Sequence, residues 1–359
     1  MSLNGYIMSR EREIARVENG LITDFDAQRL PLYLLKTKDL TGWLESRAID
    51  SHRTNSRLLK KALRISAADD LATVLRVHAA TITDTYWFRE EGSDISYDEV
   101  RFSENLFDKL ALRGDPNSFN QPYSRTPELT NTGSFEKCWS RKDGHWQMLK
   151  SGNDLENFSE LFVCVFGRRM GLEMASYEWD GSYVCSEDFT NGSSVNFEPA
   201  AGIMLDNEDY ADNFHALWTL NKKAAEQYVG MVWLDAICFN MDRHTQNYGV
   251  LRDVETGEIL SLAPLFDHNI ALIARGYPKV ERTNDMLIQL FVEFLNDVPE
   301  AKRIFEEFPL PELTEQLVME CIEAVPIQVD EEAVCRFILN GEQRINELLE
   351  PDQGLSQTL

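Results

Sequence analysis

The sequence predicts an α+β fold with two lobes, a small antiparallel β lobe that holds one helix and a large, mainly helical lobe, preceded by a helical N-terminal region. Apolar residues recur at helical spacing from 27 to 81, the pattern becomes strand-like from 128 to 189, and it is mostly helical again beyond 196. Because one core rarely grows past about 250–300 residues, a chain of 359 residues is expected to form at least two packed bodies.

The N-terminal region is predicted to be helical as far as a loop-rich, proline-containing stretch at 89–130. Ser66 fits the N-cap position of a helix over 66–81. The boundaries that we predict are 1–115 for the helical N-terminal region, 116–195 for the small lobe and 196–359 for the large lobe.

The small lobe is predicted from two hairpins with a helix between them. Strand-like segments at 135–139 and 145–150 flank Asp143-Gly144, a dipeptide typical of tight hairpin turns. A helix is expected over 153–170, and a second hairpin over 174–187. In the large lobe, one further interruption of the helical pattern is expected between Tyr248 and Leu262.

The composition limits the partners that this chain can have. Sixty acidic residues against 35 basic ones give a formal charge of −25. Such a chain repels the phosphates of nucleic acids, so direct nucleic-acid binding is not expected. A substrate whose phosphates are carried by a divalent cation is compatible with this charge, since the metal supplies local positive charge.

The sequence also gives an expectation for location. It contains no run of about 20 apolar residues and no signal-peptide pattern, so neither membrane insertion nor secretion is expected. The six cysteines are scattered among apolar residues without a Cys-x-x-Cys pair. They are expected to be buried free thiols in a cytoplasmic protein, with no zinc site.

Three polar residues have the order and spacing that phosphoryl transfer from ATP requires. Asp242 and Asn247 form an Asp-x-x-x-x-Asn pattern, and Asp267 follows a phenylalanine after a predicted hairpin. In this chemistry the first aspartate orients or deprotonates the attacking hydroxyl, while the asparagine and the second aspartate hold magnesium against the phosphates. The pattern predicts Asp242 as the catalytic base and Asn247 and Asp267 as Mg²⁺ ligands.

The segment 239–267 contains Asn-x-Asp-Arg-His-x-x-Asn-x-Gly and then Leu-Ala-Pro-x-Phe-Asp. It resembles the catalytic core of HipA-type serine/threonine protein kinases, and its Asp-Arg-His-x-x-Asn core is also similar to that of phosphoinositide lipid kinases. The resemblance covers about 130–349, and nothing comparable is seen in 1–115. It implies a two-lobed, protein-kinase-like fold and transfer of phosphate to a serine or threonine of a protein substrate.

The resemblance implies further site residues in the small lobe. Lys150 ends an alternating strand, where a lysine that grips the α- and β-phosphates is expected, although an ordinary solvated lysine is the alternative. Alignment with the family pattern places Glu160 as the glutamate that pairs with this lysine, with Glu156 as the alternative one turn earlier.

The phosphate-covering loop and the adenine-binding hinge are assigned in the same way. The loop is expected at 130–135 and includes Gly133. By resemblance, Ser134 or Thr132 is a candidate for autophosphorylation. Glu187 and Phe189 fall where the hinge is expected, and hinges bind through backbone groups that a sequence does not identify.

Three other features have less specific interpretations. His244 is expected to brace the catalytic loop by hydrogen bonding, with proton transfer as the alternative. Asp235 and Asn240 are expected to support or cap this loop rather than to bind metal. A basic run at 47–64 is expected to be a solvated helix face, with a docking face for a partner or substrate as the alternative. Its members are Arg47, Arg53, Arg57, Lys60, Lys61 and Arg64.

Three alternative functions are compatible with the same residues. One is a kinase for a small molecule or lipid, although the mildly basic segment 268–285 favours a protein substrate. The second is a non-catalytic, nucleotide-binding scaffold. The third is a toxin of a toxin–antitoxin pair, which the unmatched N-terminal region does not favour.

Overall fold

The structure is a computed structural model, and it describes residues 3–53, 55–65, 69–120, 125–275 and 281–350. The α+β fold class is confirmed. Contacts divide the chain into two compact units, each built from separate stretches of sequence. Each of the three predicted domains is instead one continuous stretch, and their boundaries stay a prediction. Unit 1 comprises Met1–Ser151, Glu178–Leu205 and Gly249–Ala263, and unit 2 comprises Gly152–Tyr177, Asp206–Tyr248 and Pro264–Leu359.

The strands of the described residues all lie between positions 5 and 262, whereas their helices lie between positions 32 and 349. The strands are β1 (Gly5–Ser9), β2 (Arg12–Glu18), β3 (Leu21–Phe25), β4 (Tyr86–Glu90), β5 (Lys137–Lys142), β6 (His145–Lys150), β7 (Tyr177–Trp179), β8 (Val184–Glu187), β9 (Val195–Pro199), β10 (Gly249–Asp253) and β11 (Ile259–Leu262). The helices are α1 (Leu32–Thr37), α2 (Leu40–Ser46), α3 (Ser56–Ala62), α4 (Asp70–Leu75), α5 (Tyr97–Val100), α6 (Asp108–Arg113), α7 (Asp154–Arg169), α8 (Ala201–Met204), α9 (Tyr210–Leu220), α10 (Lys222–Cys238), α11 (Met286–Asp297), α12 (Pro299–Glu307), α13 (Glu315–Glu323) and α14 (Glu331–Leu349).

Contrary to the prediction, the N-terminal region is not helical throughout, because it also contains a four-stranded antiparallel sheet in the order β3-β2-β1-β4. Asn19 and Gly20 join β2 to β3 with φ values of 53° and 80°. This Asn-Gly pair is a hairpin signal that the prediction did not use. The helices α1 to α4 are short, and the apolar residues of α1 and α2 pack against the sheet around Ile7. The predicted cap Ser66 lies outside the described residues, and Asp69 caps α4 instead.

The basic run does not form one solvated or docking face, because three of its cations have side chains at most 10% exposed and form ion pairs within unit 1. Arg53 donates to Glu128 over 2.9 Å, with side chains that are 1% and 0% exposed. Burial raises the pKa of Glu128, and the charge of Arg53 opposes that rise. The other two pairs are Arg47–Asp84 and Lys60–Asp70, whereas Arg57, Lys61 and Arg64 are exposed as predicted.

The predicted hairpins and helix of the small lobe are present. The sheet order is β5-β6-β8-β7, and Asp143 and Gly144 turn between β5 and β6 with φ values of 52° and 87°. Asn153 caps α7 by accepting from the backbone nitrogens of Leu155 and Glu156, both at 3.0 Å. The helix therefore begins where the sequence predicted.

A third sheet, in unit 1, has the order β11-β10-β9. The hairpin β10–β11 lies at the predicted interruption of the helical pattern, but β9 was not predicted. Arg252 on β10 donates to Glu198 on β9, to the carbonyl oxygen of Leu30 at 3.1 Å and to the hydroxyl of Tyr86 at 3.3 Å. These buried contacts join the N-terminal region to this sheet inside one unit.

Helix α10 lies in the core of unit 2, since most of its residues are buried. Three phenylalanines of α7 stack in a row, Phe158 on Phe162 at 5.5 Å and Phe162 on Phe166 at 5.7 Å between ring centroids. Phe166 in turn stacks on Trp233 of α10 at 6.3 Å. This aromatic row packs α7 against the helix that leads into the candidate active site.

The expectation of free, buried cysteines is confirmed. All six thiols are free, five of the residues are buried and Cys185 is partly buried. Burial raises the pKa of each thiol, to about 11 for Cys185 and Cys321. Among the described residues, no helix combines the length and the apolar character that crossing a bilayer requires.

We expect the substitution Arg53→Met to lower the free energy of unfolding by about 3–5 kcal/mol, because it leaves the Glu128 carboxylate buried without its cation. Denaturant unfolding of both proteins measures this difference. Arg57→Met is the matched control, since Arg57 is exposed in the same run and should change stability by less than about 0.5 kcal/mol. Equal losses in both variants would contradict the assignment of Arg53 to the core.

Candidate active site

The loop between α10 and β10 is held by hydrogen bonds among its own residues. The backbone N–H of His244 donates to the carbonyl oxygen of Asp242 at 3.0 Å, and that of Asn247 donates to the carbonyl oxygen of His244 at 2.8 Å. The side-chain nitrogen of Asn247 also donates to the Asp242 carbonyl, at 2.8 Å. These bonds fix Asp242 relative to Asn247 and leave the amide oxygen of Asn247 as the end that can bind a cation.

The start of the loop is held by the end of α10. Phe239 ends this helix in the left-handed conformation, with φ 54°. The side-chain nitrogen of Asn240 then donates to Asp235 Oδ1 at 2.8 Å. Further along, His244 Nδ1 accepts from the backbone N–H of Gln246 at 3.2 Å, which is the geometry of a bracing residue. The assignment of His244 between bracing and proton transfer stays a prediction.

Arg243 connects three segments of unit 2, although the sequence-based prediction gave it no role. Its guanidinium donates to both carboxylate oxygens of Asp235, at 2.8 and 3.0 Å, and these side chains are 4% and 2% exposed. It also donates to the carbonyl oxygens of Asn247 and Phe266, and it lies 2.8 Å from Nε2 of His268. One cation thus fixes the catalytic loop and the Asp267 segment to α10.

The pKa of Arg243 reflects two opposing effects. Burial lowers it, but the charge and hydrogen bonds of Asp235, helped by the charge of Asp267, raise it above its ordinary value. The guanidinium therefore stays charged at any physiological pH. Its bonds to the loop do not depend on protonation near neutrality.

Asp267 has a left-handed backbone conformation, with φ 65°. Its N–H donates to the hydroxyl of the buried Tyr177 at 3.2 Å, and the next N–H, from His268, lies 3.4 Å from Glu160 Oε1. Strained backbone of this kind persists where the surroundings over-determine it, and it is common at functional sites. Both contacts lie within unit 2, and they orient the aspartate through the backbone N–H groups of residues 267 and 268.

The two glutamates of α7 that were considered as partners of Lys150 make different contacts. Glu156 accepts from the backbone N–H of Asn153 at 2.9 Å and so completes a capping box. Glu160 is 1% exposed and lies near the Asp267–His268 backbone. This arrangement favours Glu160 as the functional residue. Its pairing with Lys150, which ends β6 in unit 1, stays a prediction.

The predicted phosphate loop lies in unit 1, and Thr132, Gly133 and Ser134 are exposed. Gly133 has φ 94°, and a Cβ added there would come within 2.5 Å of Lys137 Nζ. Lys137 was not among the predicted site residues, and it brings a positive charge to the loop. Asn131, at the start of the loop, donates to Glu128 at 3.1 Å and is therefore fixed to the buried Arg53–Glu128 pair.

The predicted hinge lies at the end of β8. Glu187 is exposed, whereas the ring of Phe189 packs edge-on against Phe197 at 5.4 Å. Between them, Asp188 accepts from the backbone nitrogens of Thr190 at 2.9 Å and Gly192 at 2.7 Å. Burial raises the pKa of Asp188, and these hydrogen bonds partly oppose that rise. Asp188 therefore shapes the segment that contains the hinge.

The donor set fits magnesium bound together with phosphates. Within the described residues no group of three or more His, Cys, Asp or Glu side chains could hold a metal ion. Mg²⁺ in nucleotide sites is usually held by one or two protein oxygens together with phosphates and waters. Asp267 and Asn247 supply such oxygens. The buried Asn269, two residues further on, has an Oδ1 atom that makes no hydrogen bond.

Comparisons with known proteins give a clear result only for structure. No family model and no curated protein matches this chain. HipA of Shewanella oneidensis MR-1, solved as a toxin–antitoxin system with HipB and operator DNA, matches with a TM-score of 0.61 and 13% identity, over 96% of this chain and 99% of the other. The chain has the HipA fold. This fold is two-lobed and kinase-like, and the predicted resemblance is confirmed at this level.

The match also corrects the expected extent of the resemblance. Because it covers 96% of this chain, it extends well beyond 130–349 and includes most of the N-terminal region, which was expected to have no counterpart. A second solved structure, the Helicobacter pylori proinflammatory kinase CtkA, has 16% identity and a TM-score of 0.47, over 59% of this chain and 92% of that one.

We expect Arg243→Met to lower the free energy of unfolding by about 3–5 kcal/mol, because it leaves the buried Asp235 carboxylate without its cation. Chemical denaturation provides the measurement. Arg303→Met serves as the control, since Arg303 is exposed on α12 of the same unit. If both variants were as stable as the parent, the proposed role of Arg243 as the connection between the three segments would be wrong.

Proposed function

We propose that this protein transfers the γ-phosphate of ATP, in the presence of magnesium, to a serine or threonine of a protein. The observation that carries the proposal is the connected arrangement of Asp242, Asn247 and Asp267 in unit 2, fixed by the buried Arg243. These three residue types in this order are what phosphoryl transfer requires. The fold shared with HipA is in accord with this function.

The residues of the chain have distinct roles in this proposal. Asp242 accepts the proton of the attacking hydroxyl or orients it. The oxygens of Asn247 and Asp267 hold magnesium, which neutralises the negative charge of the phosphates when it is bound. Lys150, Gly133 and Ser134 are assigned to the ATP phosphates, and the backbone at Glu187 and Phe189 to adenine. The ion pair of Lys150 with Glu160 stays in the proposal as what the resemblance to HipA-type kinases implies.

A lipid or small-molecule kinase is the second candidate, and one observation argues against lipids. A lipid kinase needs exposed cations after the metal-binding aspartate to bind anionic head groups. Arg282, one of the three cations in 268–285, is instead buried, and its Nε donates to Asp285 at 2.7 Å. Lys279 and the side chain of Arg275 lie outside the described part of the chain. A scaffold without activity is the third candidate, and the intact set of catalytic residue types argues against it.

We expect Asp267→Ala to remove the magnesium-dependent part of ATP binding, because the carboxylate is the charged ligand of the metal. Isothermal titration calorimetry with ATP, with and without Mg²⁺, measures this for parent and variant. Asp253→Ala is a suitable control, since Asp253 lies in β10 outside the catalytic loop. If the parent bound ATP equally well with and without Mg²⁺, the metal assignment would be wrong.

We expect Asp242→Asn to reduce phosphoryl transfer by about 100- to 10,000-fold while ATP binding changes little, because the aspartate meets the attacking hydroxyl rather than the nucleotide. Intact-mass measurement over hours with ATP and magnesium detects self-modification, for which Thr132 and Ser134 are exposed candidates. Asp24→Asn, which makes the same change at an exposed aspartate of β3, is the control. Equal modification of the parent and Asp242→Asn would show that Asp242 is not the base.

A further inference from the structure

Large apolar side chains are exposed in the two segments that Arg282 connects, the loop after α10 and the start of α11. Met241 is 49% exposed and directly precedes Asp242 in the catalytic loop. Met286 and Leu290 are 58% and 40% exposed and lie one turn apart at the start of α11. Core packing does not account for side chains this exposed. A residue adjacent to the catalytic base is also necessarily close to the group that the base acts on.

Arg282 joins the start of α11 to the end of α10. Its guanidinium donates to the carbonyl oxygens of Ala236 at 2.6 Å and Ile237 at 2.8 Å, and its Nε donates to Asp285, which caps α11. It also lies 5.8 Å from the ring centroid of Phe239. Met241 follows Phe239 by two residues and Met286 follows Asp285 directly, so Arg282 connects the two segments that carry these methionines.

Unit 2, which carries these side chains, has a negative formal charge. Unit 2 holds 30 of the 60 acidic residues but only 12 of the 35 basic ones, which gives it a formal charge of −18. Asp206 and Glu208 are exposed just before α9, and Tyr210, at the start of this helix, packs against Phe294 of α11 with 6.0 Å between ring centroids. An exposed acidic segment therefore lies beside the later turns of α11, the helix that begins at Met286.

We propose that Met241, Met286 and Leu290, which we call the acceptor surface, bind the segment of the protein substrate that carries the accepting serine or threonine. Its occupant is a segment with a large apolar residue next to the hydroxyl and with basic residues flanking it. The apolar side chains bury that residue, and the acidic segment attracts the flanking cations. Methionine suits this role because its flexible, polarizable side chain adapts to different apolar partners.

This inference rests on the proposed function and is tested with the full chain, Mg²⁺-ATP and a positional-scanning library of peptides that contain one fixed serine or threonine. Selection of Leu, Met, Ile or Phe next to the acceptor and of Arg or Lys further out is the expected result. Selection of acidic residues, or no selection at all, would overturn the proposal. Self-modification without phosphorylation of any peptide would also overturn the proposal, and this outcome would leave the proposed function intact. If neither the protein nor any peptide were phosphorylated, the proposed function would fail and the acceptor surface with it.

Two variants test the residues themselves on the best peptide of the library. Met286→Ser is expected to lower kcat/KM about tenfold, with the loss in KM, because it removes one apolar contact to the acceptor segment. Leu220→Ser is the matched control, since Leu220 is 47% exposed at the end of α9 and lies outside the acceptor surface. An equal effect of the two substitutions, or a loss confined to kcat, would overturn the assignment of Met286.

Glu208→Gln tests the contribution of charge. It is expected to raise KM for the basic peptide at low ionic strength, and the difference from the parent should shrink as salt is added, because exposed charges are screened within about 3 Å at 1 M salt. A KM that is the same in parent and variant at low salt would overturn the electrostatic part of the proposal.

Discussion

The candidate active site depends on one buried ion pair, between Arg243 and Asp235. Asp235 belongs to α10, the most buried helix of unit 2, so its carboxylate has a fixed position. Arg243 lies in the loop itself and, beyond this pair, donates to the carbonyl oxygens of Asn247 and Phe266. The planar guanidinium has five N–H donors in fixed directions, which a lysine does not have. The relative positions of the predicted base and of both predicted metal ligands thus follow from where this one cation is held.

The N-terminal region is part of the same folded body as the strands that flank the catalytic loop in sequence. Ser193, in the segment after the hinge, donates to the carbonyl oxygens of Ile82 at 2.6 Å and Asp84 at 3.1 Å. The side-chain oxygen of Asn196 accepts from the N–H of Thr85 at 2.8 Å. Together with the contacts of Arg252, these bonds satisfy buried polar groups that would be left without partners if residues 1–115 were removed. The region therefore contributes to the stability of unit 1 and is not a separate appendage.

The parts of the structure that the sequence predicted are those with local signals. The turn at Asp143-Gly144, the cap at Asn153 and the spacing of Asp242, Asn247 and Asp267 each depend on a few neighbouring residues. The residues that were missed depend on contacts between distant segments. Tyr177 meets Asp267 across 90 positions, and Arg53 meets Glu128 across 75, so no local pattern reveals either contact. Arg243 was inside the motif, but its role becomes visible only when its partners come together in space. The hairpin at Asn19-Gly20 also has a local signal, the Asn-Gly pair, although it was not among the predicted elements.

The six cysteines have a practical consequence for spectroscopy. Maleimides and related reagents react with thiolates, and thiols that are buried and have raised pKa values supply few of them near neutral pH. The native thiols of this protein, five of them buried and the sixth partly covered, should therefore label slowly. A cysteine introduced at an exposed position in each unit would react much faster. Fluorophore pairs could thus be attached to the two units without replacing the native cysteines, and energy transfer between them would measure whether their separation changes when ATP is added.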